Sequence, residues 1–200
     1  MCGIAGTIDV AGRPVSAEVL ARACARMRHR GPDDAGTFIH HHATLSVGLA
    51  AVRLAIVDPT SASRQPMTVG DGRYVLVFNG EIYNQRALRR ELESGGWRFR
   101  TSSDTEVLAA WCAAQGPEGL GALNGMFALA FFDTVERCGF IARDRFGIKP
   151  LLVARHPRGF CFASEMRALA AFCDWERAVD HDALAHYLAF GYFAAPRSVY

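Results

Sequence analysis

The chain alternates short apolar runs with amphipathic stretches. Ile4, Ile8 and Val10 mark a first strand, and a turn at Gly12-Arg13-Pro14 follows. Beyond it Val19, Leu20, Ala23, Cys24 and Met27 recur at helical spacing behind Ser16, a suitable N-cap. The helix stops before the polar segment Arg28-His29-Arg30-Gly31-Pro32-Asp33-Asp34, a loop suited to line a cleft, because Gly31-Pro32 breaks it. Strand signals return at residues 37–39, and Leu45, Val47 and Leu49 alternate as a half-buried strand would. His40-His41-His42 between them reads as an exposed turn: neighbours point apart and no carboxylate or cysteine completes a metal site.

Tyr74-Val75-Leu76-Val77-Phe78 is a continuous strand-favouring run that meets Asn79-Gly80, a strong turn signal. No second strand follows, since Asn84 onward reads as a helix ending at Gly95-Gly96. A short strand at Trp97 and Phe99 precedes Asp104, a candidate cap for a helix that runs to Gly116. Residues 126–132 and 138–143 form a hairpin, and strands at 151–154 and 160–163 extend the second half as a meander. The alternating charges of Arg143-Asp144-Arg145 are expected to neutralise one another. Helices over 166–172 and 182–190 lead to a linker-like end at 194–200.

Composition narrows the class. Half of the 200 residues are hydrophobic, which suits a globular core, and 22 basic against 20 acidic residues, mixed along the chain, argue against a nucleic-acid surface. No apolar run approaches the ~20 residues of a membrane span, and the start lacks the charged and apolar regions of a secretory signal, so a cytoplasmic protein is expected. The six cysteines contain no C-x-x-C pair, and all but Cys2 are expected to be small buried apolar residues.

Cys2 carries the candidate chemistry. Once Met1 is removed, one residue holds both a thiol and a free α-amine, a nucleophile already paired with its base. Gly3 leaves room for close approach of a substrate backbone. An ordinary first strand that happens to carry a cysteine remains the alternative at this point. Asn79 and Gly80 at a strand tip can form an oxyanion hole. Arg53, at the head of an apolar run, offers a planar fork to a carboxylate or pairs with an acid of the protein. Asp104 can cap its helix and also face an ammonium group.

In order along the chain, Met1-Cys2-Gly3-Ile4, Arg28-His29-Arg30-Gly31-Pro32-Asp33, residues 53–58, Gln65-Pro66-Met67, residues 78–84, residues 103–106, Gly125-Met126-Phe127 and residues 143–150 resemble the glutaminase domain of the asparagine synthetases, class II glutamine amidotransferases. The resemblance implies an α+β fold, a four-layer αββα sandwich of two antiparallel sheets of the N-terminal-nucleophile hydrolase type. It implies that residues 1–180 form the glutaminase domain and 181–200 begin a linker to a synthetase domain. Cys2 would be the nucleophile, with Asn79 and the Gly80 N–H holding the oxyanion. Arg53 would bind the glutamine α-carboxylate and Asp104 with Glu81 its α-amine, while Leu54, Ala55, Ile56 and Val57 line the pocket. The implied partners are glutamine and an ATP-using synthetase domain or chain, with a homodimer as a further option and no nucleic acid or membrane. ATP and magnesium would belong to the synthetase domain, with no cofactor in this chain. The implied reaction is hydrolysis of glutamine to glutamate and ammonia for asparagine synthesis. Two alternatives stay open: a weakly active or inactive glutamine-binding half of a split enzyme, or a related amidotransferase with another ammonia acceptor. The sequence departs from the family at Ala51-Val52, where a basic pair is usual, and at Leu152, where an aromatic residue is common.

Overall fold

A computed structural model describes residues 1–55, 60–172, 178–194 and 197–200. The order of elements is β1 (Gly3–Asp9), α1 (Ala17–Met27), β2 (Asp34–His42), β3 (Leu45–Arg53), β4 (Met67–Val69), β5 (Tyr74–Ile82), α2 (Gln85–Ser94), α3 (Asp104–Gln115), β6 (Gly125–Asp133), β7 (Cys138–Arg143), β8 (Leu152–His156), β9 (Gly159–Ala163), α4 (Met166–Leu169) and α5 (His181–Phe190). The strands form two antiparallel sheets, ordered β2-β3-β1-β9-β8 and β4-β5-β6-β7.

Period-two alternation assigns each strand to two cores at once. Ile4, Val47, Leu49 and Ala51 of the first sheet meet Val75, Val77, Ala128, Ala130 and Phe132 of the second between the sheets. The intervening residues face outward under helices: Ala5, Ala50 and Val52 beneath α1 and α4, and Leu76, Phe78, Phe127 and Leu129 beneath α2 and α3. The result is the expected four-layer αββα arrangement. Burial on both faces explains why these antiparallel strands read as unbroken apolar runs. Leu45, Val47 and Leu49 therefore belong to a strand buried almost throughout, not a half-buried one.

Several local expectations change in three dimensions. His40-His41-His42 extends β2 instead of turning; His41 Nδ1 lies 2.7 Å from Ser46 Oγ and the His40 ring packs 5.2 Å from that of Phe132. Among the described residues no cluster of three or more His, Cys, Asp or Glu side chains can hold a metal ion. Asn79-Gly80 is not a turn, because β5 runs on to Ile82 and Gly80 pairs with Phe127, where a Cβ would meet the Met126 carbonyl at 2.1 Å. Residues 97–99 are not a strand, and Phe99 lies under the Arg89 guanidinium, 4.2 Å from ring to cation. The second half is no single meander: β6 and β7 belong to one sheet, β8 and β9 to the other. Helix α4 is shorter than expected. Cys24, Cys112 and Cys161 are buried as expected, Cys138 is exposed, and Cys173 lies outside the described residues.

The crossing between sheets depends on Asp144. Its neighbouring arginines do not neutralise it: Arg143 donates to the carbonyls of Gly147 and Lys149, and Arg145 to that of Gly121. The Asp144 carboxylate instead accepts from the backbone N–H groups of Phe127, Phe146, Ile148 and Lys149 at 2.9–3.1 Å. Burial pushes this carboxyl up, but those N–H groups outweigh it and hold it below the ordinary range. Stability from Asp144 is therefore complete above the ordinary carboxylate pKa and is lost as pH falls through the lowered one. Asp144→Asn, which turns an NH₂ toward the donors, should cost about 2 kcal/mol or more at neutral pH, read by denaturant titration. The gap from wild type should narrow on acidification.

Candidate active site

Alternation also builds the site. Cys2 stands two residues before Ile4, Arg53 two beyond Ala51, and Asn79 two beyond Val77, each continuing the series that faces the other sheet. All three reach the end of the inter-sheet core, where a cleft of about 330 Å³ opens. Its wall includes Cys2, Arg53, Leu54, Asn79, Gly80, Glu81 and Asp104. Ala55 is absent from that wall, and Ile56 and Val57 lie outside the described residues.

Cys2 Sγ points toward the Leu54 carbonyl at 3.9 Å, and Arg30 Nε donates to the Cys2 carbonyl at 2.9 Å. Ile4 N–H donates to Ser164 Oγ, and Ser164 N–H returns a bond to the Ile4 carbonyl. The first residues are thus held by the loop after α1 and by the end of β9. That loop buttresses this cleft without lining it; Arg28, Gly31, Pro32, Asp33 and Asp34 line a separate depression beside α1 and β2. Gly31 packs so closely on β3 that a Cβ would meet Arg53 N at 2.4 Å, and the Asp33 carboxylate accepts from the Ala55 N–H at 2.8 Å. The Arg53 guanidinium is buried and donates to the Thr60 carbonyl at 3.2 Å.

Asp104 does not cap its helix. Ser103 does so, accepting from Thr105 N–H, which leaves Asp104 Oδ2 to accept from the Ile82 N–H at 3.0 Å. Burial raises the Asp104 carboxyl above its ordinary range, with the Glu81 charge adding to the effect against the pull of the Ile82 and Thr105 N–H groups. No cation of the described residues forms a salt bridge with it. Asn79 goes further: its Nδ2 is buried without a hydrogen-bond partner among the described residues. Such a donor at a cleft wall is ready for an acceptor that the described residues do not supply.

Sequence reasoning missed two contributors. Gln65 buries its amide against β5, with Oε1 accepting from Phe78 N–H at 2.6 Å and Nε2 donating to the Phe78 carbonyl at 2.9 Å. Lys149 lines the cleft and is buried, its backbone fixed by Asp144 and Arg143. Both stand in stretches that carry the family resemblance, but nothing in their local spacing announced a place in the cleft.

The chain matches the glutamine amidotransferase domain family over residues 1–200. It is 36% identical to asparagine synthetase [glutamine-hydrolyzing] 3 of Bacillus subtilis, covering 96% of this chain and 31% of that protein. With asparagine synthetase B [glutamine-hydrolyzing] of Escherichia coli it shares 41% identity over 86% of this chain and 30% of the relative. The chain thus spans about 30% of the length of these relatives. Its fold is that of the glutamine phosphoribosylpyrophosphate amidotransferase of B. subtilis, with a TM-score of 0.68 at 23% identity over 90% of this chain and 45% of that one. The chain therefore belongs to the glutamine amidotransferase domain family, and the relatives it matches here are glutamine-hydrolysing asparagine synthetases.

Two neighbouring amides should behave oppositely when removed. Asn79→Leu should leave stability unchanged or raise it, because it deletes a buried donor that has no partner among the described residues. Gln65→Leu should cost about 2 kcal/mol or more, because it strands the Phe78 N–H and carbonyl. Denaturant midpoints at constant m-value measure both.

Proposed function

We propose that this chain hydrolyses glutamine to glutamate and ammonia through a thioester on Cys2, and that a synthetase domain or chain uses the ammonia for ATP-dependent asparagine formation. The observation that carries this reading is the Asn79 Nδ2, buried and without a partner among the described residues, in the same cleft as Cys2. With Met1 removed, the α-amine of Cys2 takes the thiol proton and the thiolate attacks the side-chain amide carbon of glutamine. Asn79 Nδ2 and the Gly80 N–H receive the oxyanion. Collapse breaks the C–N bond, the α-ammonium returns the proton, and ammonia leaves. Water, deprotonated by the same amine, then cleaves the thioester and frees glutamate.

The cleft's remaining charges suit an amino acid that carries both charges at one end. Arg53 binds the α-carboxylate; Asp104, assisted by Glu81, binds the α-ammonium. Residues 1–180 would then form the glutaminase domain, with ATP and magnesium used in the synthetase part. Exposed apolar side chains support docking of such a part: Phe146 is 89% exposed, and Leu188, Phe190 and Tyr192 stand out on and beside α5.

Mature protein incubated with glutamine should release glutamate and ammonia in equal amounts, and Cys2→Ala should release neither. Asn79→Ala should lower kcat by roughly 10²–10³-fold. Because Asp104 holds its proton to higher pH than an ordinary aspartate, KM for glutamine should rise on acidification from above the ordinary carboxylate range. Asp104→Asn should raise KM and abolish that limb. A KM limb unaltered in Asp104→Asn would remove Asp104 from the substrate site.

A further inference from the structure

Glu165 lies outside the cleft wall, at the N-cap position of α4, yet it gathers three basic side chains. Its Oε1 is 2.7 Å from His29 Nε2 and 3.1 Å from Arg30 Nη1, and its Oε2 is 3.0 Å from Arg167 Nε. The Arg30 side chain is 9% exposed and that of Glu165 18%, whereas His29 and Arg167 reach solvent. Arg30 is the member that continues inward: while Nη1 meets Glu165, Nε donates to the Cys2 carbonyl.

From this we infer that Glu165 is the positioning residue for the N-terminal nucleophile, setting the orientation of Cys2 through Arg30. The inference rests on the glutaminase reading. An N-terminal residue has no preceding peptide bond to fix it, so besides the contact of its thiol with the Leu54 carbonyl its orientation depends on what restrains its own carbonyl and the strand beyond. The strand begins at Gly3, and Ser164 fixes Ile4. The Cys2 carbonyl is fixed by the Arg30 fork, which needs a second anchor to hold its plane. Glu165 supplies that anchor, one residue after Ser164, so adjacent side chains from the end of β9 restrain both ends of the segment. Burial pushes the Glu165 carboxyl up, but the bonds from His29 and Arg30 outweigh it and keep it charged for this task. His29 shares the same oxygen and leaves the fork geometry to Arg30.

The test compares mature wild type, Glu165→Gln, Glu165→Ala and Arg30→Lys, whose ammonium lacks the planar fork that fixes the carboxylate and the Cys2 carbonyl in one plane. Expected is a fall in kcat of at least about tenfold in Glu165→Ala and Arg30→Lys, smaller in Glu165→Gln, with KM for glutamine within about twofold. The rate of Cys2 alkylation by iodoacetamide, followed by mass of the N-terminal peptide from pH 6 to 10, should also shift its midpoint in these variants. A structural role alone would lower the thermal midpoint and leave kcat per folded molecule and the alkylation profile unchanged, which would overturn the inference. If wild type hydrolyses no glutamine, the glutaminase reading falls, while the alkylation profiles still decide whether Glu165 orients Cys2.

Discussion

Burial of both faces of both sheets is the constraint on which the rest depends. Each strand must place alternate side chains in the inter-sheet core and under a helical layer, so a one-residue slip would exchange the two sets and open both cores. Val77 and Ile4 are fully buried between the sheets, and Phe78 is nearly so under the helices. Register is therefore fixed far more tightly than hydrogen bonding alone would fix it. The polar groups of the site inherit that precision, because Cys2, Arg53 and Asn79 are the next steps of the same inward series where the core reaches its edge.

Polar devices then hold the rim where apolar packing ends. Arg30 restrains the Cys2 carbonyl, Asp33 the Ala55 N–H, Gln65 the backbone of Phe78 just before Asn79, and Asp144 the backbone at Phe127, the partner of Gly80. Each satisfies groups that an edge would leave unpaired. Against this background two groups of the cleft stand apart. The Asn79 Nδ2 lacks a partner among the described residues and the Asp104 carboxyl is raised by burial, whereas the Cys112 thiol is merely buried, pushed up to about 12 and outside the cleft.

Much of this was legible in the sequence. The runs at 74–78 and 126–132, the Ser16-capped helix and the two later hairpins follow from periodicity, and the family pattern pointed to Cys2, Arg53, Asn79 and Asp104. Local rules failed where tertiary burial decided the outcome. Asn79-Gly80 has turn chemistry but lies in a strand, because β6 pairs across it and leaves no room for a Cβ at Gly80. The histidines at 40–42 look like a turn but continue an edge strand. Arg143-Asp144-Arg145 looks self-neutralising, yet each charge holds backbone instead. Gln65 meets the backbone of Phe78 and Glu165 meets His29 and Arg30, partners too far along the chain for any local window to contain.

The most direct test of the account is the intact mass of the purified chain before and after exposure to a glutamine-like diazoketone that alkylates cysteine. Loss of Met1 followed by one adduct, mapped to Cys2 and prevented by excess glutamine, is the predicted result. A processed chain that takes no adduct, or takes it at exposed Cys138, would contradict a nucleophile assembled in a glutamine cleft.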